Sequence, residues 1–199
     1  MDFALLGWPP DGPTLRLDYR RFAYAGKFVL GSTGTAVVRE GERVGGEYDE
    51  GVLAAASFDP DRTDDTRLCI RYVTVRDDRR GEGLGARLLA FVADRAADRG
   101  YDRVRIAVNN PAAYVAAHRA GFAFTGEETG LAELVCERPA ARPADRDGDR
   151  YRDGLDRYRA RDLDDESLGR LDEKRVAGPP DVVGAPEGTD ADAGGEPGG

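Results

Sequence analysis

The stretch that most constrains this chain is RLCIRYVTVRDDRRGEGLGARLLAFVADRAADRG, residues 67 to 100. Its first part alternates, with Val73 and Val75 on one face and Tyr72 and Thr74 on the other, the period of a β-strand. From Leu84 onward the period is helical: Leu84, Leu88, Phe91, Val92 and Ala96 recur three or four residues apart, and Gly100 stands where a helix commonly closes. Between strand and helix lie Gly81, Gly83 and Gly85. Glycine in a helical turn costs roughly 1 kcal/mol relative to alanine, so glycines in the expected first turn imply a need for bare backbone. A glycine-rich turn leading into a helix N-terminus offers unpaired N–H groups and the positive end of the helix dipole to an anion. Arg79 and Arg80 add to the attraction for phosphate.

The flanking segments supply the sheet and helices around that turn. FALLGW reads as a strand closed by PPDGP, and LRLDYRRFAYAGKF as a strand entering a helix after Asp18. GTAVVRE (34 to 40) and GVLAAASF (51 to 58) read as a hairpin joined by the polar link GERVGGEYDE. DRVRIAV (102 to 108) is another strand. Asn110 and Pro111 then open a short helix, Asn as N-cap and Pro in the first turn, closing at Gly121. FAFTGEETG and LAELVCERP read as two last strands around a polar turn. This order predicts one α/β (α+β) domain over residues 1–138, with a mixed, mostly antiparallel sheet and flanking helices.

Beyond residue 138 the composition shifts. Residues 139 to 199 hold 16 acids and 10 bases with few apolar side chains, and from Val176 on there are five acids and no bases among Gly, Pro and Ala. Such a segment cannot offset its ordering entropy by burial, so it is expected to be a charged, largely disordered tail. Within it, residues 149–175 can form a charged helix: DRYRDGL followed by DRYRARDL brings Tyr151 and Tyr158 onto one face. A solvated surface is the expectation for that helix.

Charge narrows the partners. The net charge is −9, with two lysines, Lys27 and Lys174, beside 27 arginines, a balance expected of a protein kept soluble in concentrated salt. It argues against non-specific binding to nucleic acid. No apolar run approaches the roughly 18 residues of a membrane span, and MDFALLGW lacks the basic start and long apolar centre of a signal peptide. With two cysteines and no Cys-x-x-Cys pair, the expectation is a cytoplasmic, reduced protein with Cys69 and Cys136 as buried thiols and no metal site.

Two phosphate-binding motifs fail on context. Gly81-x-Gly83-x-x-Ala86 matches a dinucleotide fingerprint formally, but RDDRR separates it from its strand, and the next strand ends in Asn109-Asn110 rather than in an acid. No Lys-Ser/Thr follows the last glycine, which excludes a P-loop. The strand YVTV followed by RDDR and Arg80-Gly81-Glu82-Gly83-Leu84-Gly85 instead resembles the acyl-CoA site of the GNAT superfamily of N-acyltransferases, whose signature is Gln/Arg-x-x-Gly-x-Gly/Ala. VRIAVNNPAAYVAAHRAGF is similar to the second block of that family, a strand, an Asn, a short helix and a Gly-Phe. The resemblance covers residues 34 to 137, and the N-terminal part more loosely.

The resemblance implies a sheet with splayed central strands and acetyl-CoA as co-substrate. It implies that the amides of Gly81, Glu82, Gly83, Leu84, Gly85 and Ala86 hold the pyrophosphate, with Arg80 beside it. The backbone of Val73, Thr74 and Val75 would pair with the pantetheine arm, a backbone N–H near Val75 would polarise the carbonyl, and Asn110 would touch the cofactor further along. The implied reaction is transfer of an acetyl group to a primary amine, on a small molecule or a protein, by direct attack in a ternary complex. The chain departs from the family where a proton donor and a base are expected: Ala117 stands in place of a Tyr, and Arg105 in place of a Glu. His118 and Tyr114 are the nearby candidates for the donor, and Glu127 or Glu128 for the base. The same departures fit a catalytically impaired CoA-binding or scaffold protein.

Overall fold

The computed structural model describes residues 1–29, 31–41, 47–161 and 163–190. Residues 42–46, in the link of the expected hairpin, and 191–199, at the end of the expected tail, lie outside the described residues. The chain runs through β1 (Asp2–Gly7), β2 (Gly34–Arg39), β3 (Val52–Pro60), β4 (Arg67–Val75), α1 (Leu84–Asp98), β5 (Arg103–Val108), α2 (Pro111–Arg119), β6 (Ala123–Glu128), β7 (Leu134–Pro139), α3 (Gly148–Arg159), α4 (Asp165–Ala177) and β8 (Gly188–Asp190). These strands make one sheet in the order β6-β7-β5-β4-β3-β2-β1-β8. Its pairs are antiparallel except β4–β5 and β1–β8, the mixed, mostly antiparallel sheet expected from the sequence.

Two layers cover the sheet. On one face α1 buries Leu84, Leu88, Leu89, Phe91 and Val92 against Phe3, Phe58, Leu68, Ile70 and Ile106, the stripe that its helical period announces. On the other face Leu15, Leu17, Phe22, Ala25 and Phe28 pack on Ala4, Val37, Val52 and Ala55. The segment carrying those five residues is neither the strand nor the helix expected after Asp18. It crosses the sheet irregularly, with one 3-10 turn at Ala25–Lys27. Asp18 explains the difference: its carboxylate takes the Arg20 N–H, and its carbonyl takes those of Arg21 and Phe22, so the backbone bonds locally.

The C-terminal reading needs a larger correction. The expected solvated helix over residues 149–175 is two helices, α3 and α4, and the first is part of the core. Tyr151, Leu155 and Tyr158 are each 1% exposed and join the cluster that contains Tyr114 and Phe124. Three apolar side chains on one stripe suffice to seat a helix whose other face is charged, and composition averages over both faces. The chain then returns: the Val183 N–H bonds the Arg119 carbonyl, and β8 adds to the sheet beside β1. Packing therefore continues well past the expected boundary at residue 138.

Candidate active site

The site begins with a break in strand pairing. In the β3–β4 ladder Ser57 faces Tyr72 and Phe58 faces Ile70, so Arg71 is an extra, bulged residue. The β4–β5 pairing ends at the same place, with Ile70 opposite Ile106. From there the two strands diverge. The Arg76 N–H bonds the Leu53 carbonyl at 2.9 Å, so by alternation Thr74 also bonds toward β3, while Val73 and Val75 direct N–H and C=O groups into the gap.

At the end of β4 the chain makes a 3-10 turn (Asp77–Arg79) and reaches the glycines. Gly81 and Gly83 have φ of 87° and 78°, a left-handed conformation that costs other L-residues about 1–2 kcal/mol. Gly83 is the N-cap of α1 rather than a residue of its first turn, and it supplies no side-chain cap. Gly85 lies inside the helix, where a Cβ would sit 3.4 Å from Val75 Cγ2. Among the described residues nothing accepts the amide hydrogens of residues 81–86. These donors border a cleft of about 570 Å³, lined by Val73, Thr74, Val75, Arg80, Gly81, Gly83, Leu84, Gly85, Ala86 and Asn110. Uncapped amides, a helix dipole and an open strand edge thus face one space.

The charges around the cleft differ from those expected. Arg80 pairs with Asp77 at 2.6 Å, and Glu82 lies outside the cleft lining, its carboxylate on Arg79 at 2.7 Å. Two cations that sequence reasoning missed also line the cleft, Arg119 at the end of α2 and Lys174 on α4. The Arg119 guanidinium lies 3.6 Å from where a Gly83 side chain would begin, beside the N-terminus of α1, and no carboxylate pairs with it among the described residues. No local pattern marks Arg119; the packing of α2 on α1 brings it there. Thr74, which also lines the cleft, is 5% exposed, and its buried Oγ1 has no hydrogen-bond partner among the described residues. The Asn110 side chain accepts the Ala113 N–H at 2.9 Å, which makes it the helix cap expected, at the cleft wall.

The profile of the acetyltransferase (GNAT) family matches residues 7–122, more than half of the 199-residue chain. The chain belongs to the GNAT family. Among solved structures it is similar to nourseothricin acetyltransferase, at 22% identity and a TM-score of 0.44 over 56% of this chain and 69% of that one. It is similar to an acetyltransferase from Salmonella typhimurium solved with its cofactor acetyl-CoA, at 22% identity and a TM-score of 0.45 over 58% of this chain and 69% of that one. A third, an N-acetyltransferase from Thermoplasma acidophilum in complex with coenzyme A, matches at 12% identity and a TM-score of 0.42 over 53% of this chain and 59% of that one. No curated protein matches the sequence.

Against the GNAT expectation, none of the four acid–base candidates reaches the cleft. Tyr114 is fully buried and donates its hydroxyl to the Tyr151 carbonyl at 3.1 Å. His118 is 8% exposed, with its ring 4.5 Å from Tyr114 and 4.7 Å from Tyr151, and burial pushes its pKa down to about 4. Both are held by α3, the helix that the composition disguised. Glu127 pairs with Arg105 at 3.3 Å, and Glu128 pairs with Arg157 of α3. Arg105, whose sequence position suggested a missing base, instead occupies one of the base candidates. Cys69 and Cys136 are buried free thiols, and burial pushes them up to about 11 and about 12. Among the described residues no helix is long and apolar enough to cross a membrane.

Proposed function

We propose that this GNAT protein transfers the acetyl group of acetyl-CoA to a primary amine by direct attack in a ternary complex. The observation that carries the reading is the row of amides at residues 81–86, without acceptors among the described residues and bordering the cleft beside the open edge of β4. A diphosphate suits those donors, the N-terminus of α1 and the Arg119 guanidinium. The amide groups of a pantetheine arm suit the N–H and C=O of Val75 and Val73, as a third strand would. Lying along β4 away from the glycines, such an arm would carry its thioester past Val75 toward Val73, and the N–H that polarises the carbonyl would then be that of Val73 rather than the one expected near Val75.

The chemistry asks for an unprotonated amine, which at a pKa of roughly 10 costs about 4 kcal/mol at pH 7, and for a proton on the departing thiolate. Because Tyr114, Glu127 and Glu128 are engaged elsewhere and His118 is enclosed away from the cleft, a second reading is that the cleft binds acetyl-CoA without turnover. Titration calorimetry with acetyl-CoA, paired with thiol release over a panel of primary amines, tests both. Binding with release supports the proposal, and binding without release favours the second reading. Measurable NAD(P) binding with no CoA binding would overturn both. Arg119→Ala is expected to weaken acetyl-CoA binding about tenfold or more, the worth of a charge-assisted hydrogen bond.

A further inference from the structure

The residue that protonates the leaving thiolate is absent from α2, where position 117 is Ala and its neighbours Tyr114 and His118 are enclosed. We propose that Tyr24, on the irregular segment across from β4, supplies that proton; the inference rests on the reading above, that the cleft holds acetyl-CoA.

Position is the first argument. The glycine turn follows Val75, so a ligand anchored there by its phosphates and laid along Val75 and Val73 ends beside Tyr72, the next residue back. The Tyr24 ring lies 6.1 Å from that of Tyr72. Its hydroxyl is 3.1 Å from Nδ2 of Asn109, the residue that follows β5. Tyr24 therefore spans the gap where β4 and β5 have parted, and it lines the same cleft as Val73, Thr74 and Val75. It is 48% exposed, open to a ligand in a way Tyr114 is not.

The second argument concerns the proton. The Tyr24 oxygen accepts the Asn109 N–H, which leaves its own hydrogen for another acceptor, and none is found among the described residues. Two of the buried tyrosines have spent theirs: Tyr114 on the Tyr151 carbonyl at 3.1 Å, and Tyr158 on the Val108 carbonyl at 2.7 Å. The backbone adds a third observation. Tyr24 has φ 59° and ψ 19°, a left-handed conformation that costs a non-glycine residue about 1 kcal/mol or more and that collects at functional sites.

The step balances as follows. The amine nitrogen bonds to the thioester carbon, and the carbon–sulfur bond breaks with its electron pair on sulfur. The Tyr24 O–H proton passes to that sulfur, giving the free thiol, while the Asn109 N–H steadies the oxygen left negative. The proton shed by the newly acylated nitrogen returns through solvent to the Tyr24 oxygen.

Tyr24→Phe keeps the ring against Tyr72 and removes only the hydroxyl. Hydroxylamine, a small nucleophile that is neutral at pH 7, serves as acceptor so that no amine-binding wall is needed, and CoA release is followed alongside acetyl-CoA affinity by calorimetry. We expect release to fall about 10²-fold, with acetyl-CoA affinity within about twofold of wild type and an unchanged melting temperature. Equal release by both proteins overturns the assignment and leaves the acetyl-CoA site standing. Wild-type binding without release also overturns the acid role alone. Failure of both proteins to bind acetyl-CoA overturns the site and the assignment together.

Discussion

His118 shows how far a residue's role depends on what encloses it. It is the chain's one histidine, it is 8% exposed, and its Nε2 has no hydrogen-bond partner among the described residues. Burial lowers its pKa from 6.5 to about 4, so the folded protein resists a proton that the unfolded chain accepts. Its contribution to stability is therefore complete above about pH 6.5, declines as pH falls from 6.5 toward 4, and changes no further below that. A gap of that size is worth about 3 kcal/mol. We expect the melting temperature to drop across this window, and His118→Phe, which keeps a ring in the same apolar setting, to flatten most of the drop. A variant as pH-sensitive there as the wild type would show that His118 is not the titrating group. The sequence told that position 118 is a histidine in a helix; that the face it occupies would be roofed by Tyr151 depended on a helix 30 residues later.

At the scale of the element, α3 is the clearest case of a pattern outweighing a composition. Tyr151, Gly154, Leu155 and Tyr158 fall three, four and seven residues apart, the stripe of an amphipathic helix, and all four are buried. Gly154 is part of that fit, because a Cβ there would come within 2.1 Å of the Tyr114 hydroxyl. Alanine normally favours a helix over glycine by about 1 kcal/mol. Here overpacking of about 1–3 kcal/mol opposes it, and the Tyr114 hydrogen bond to Tyr151 must break as the ring moves. Gly154→Ala is thus expected to lower stability in chemical denaturation, whereas Gly169→Ala, at a site with open space on α4, should be neutral or stabilising. The reverse order would mean that α3 does not sit against α2 as described. The glycine turn before α1 was legible for the opposite reason: its requirement is local, so positive φ and uncapped amides follow from the residues themselves.

For the whole molecule, the question is where the folding unit ends. The family profile stops at residue 122, and composition placed the boundary at 138, yet Tyr151, Leu155 and Tyr158 are buried against Tyr114 and Phe124. Burial of each large side chain contributes roughly 1.5–3 kcal/mol, so losing three removes about 5–9 kcal/mol, most of the stability of an ordinary domain. A chain ending at residue 139 is expected to lose cooperative unfolding and to expose apolar surface, read as dye binding and a flat thermal transition. A sharp transition near that of the full chain would restore the boundary at 138. The same C-terminal part places Lys174 at the cleft, so α4 reaches the cleft as well as, through Leu171, the core.

The sequence by itself determined what depends on near neighbours: the strand and helix periods of residues 67–100, the glycines that leave amides bare, the Asn110 cap and the family to which these blocks belong. Tertiary structure alone decided what depends on faces meeting across the chain. It decided that Tyr114 and His118 lie under α3, that Glu127 and Glu128 are tied to arginines, and that Arg119, Lys174 and Tyr24 turn toward the cleft. The physical reason is that backbone preferences act over a few residues. Burial and charge pairing are set by whichever side chains the fold brings within a few ångströms, however distant they are along the chain.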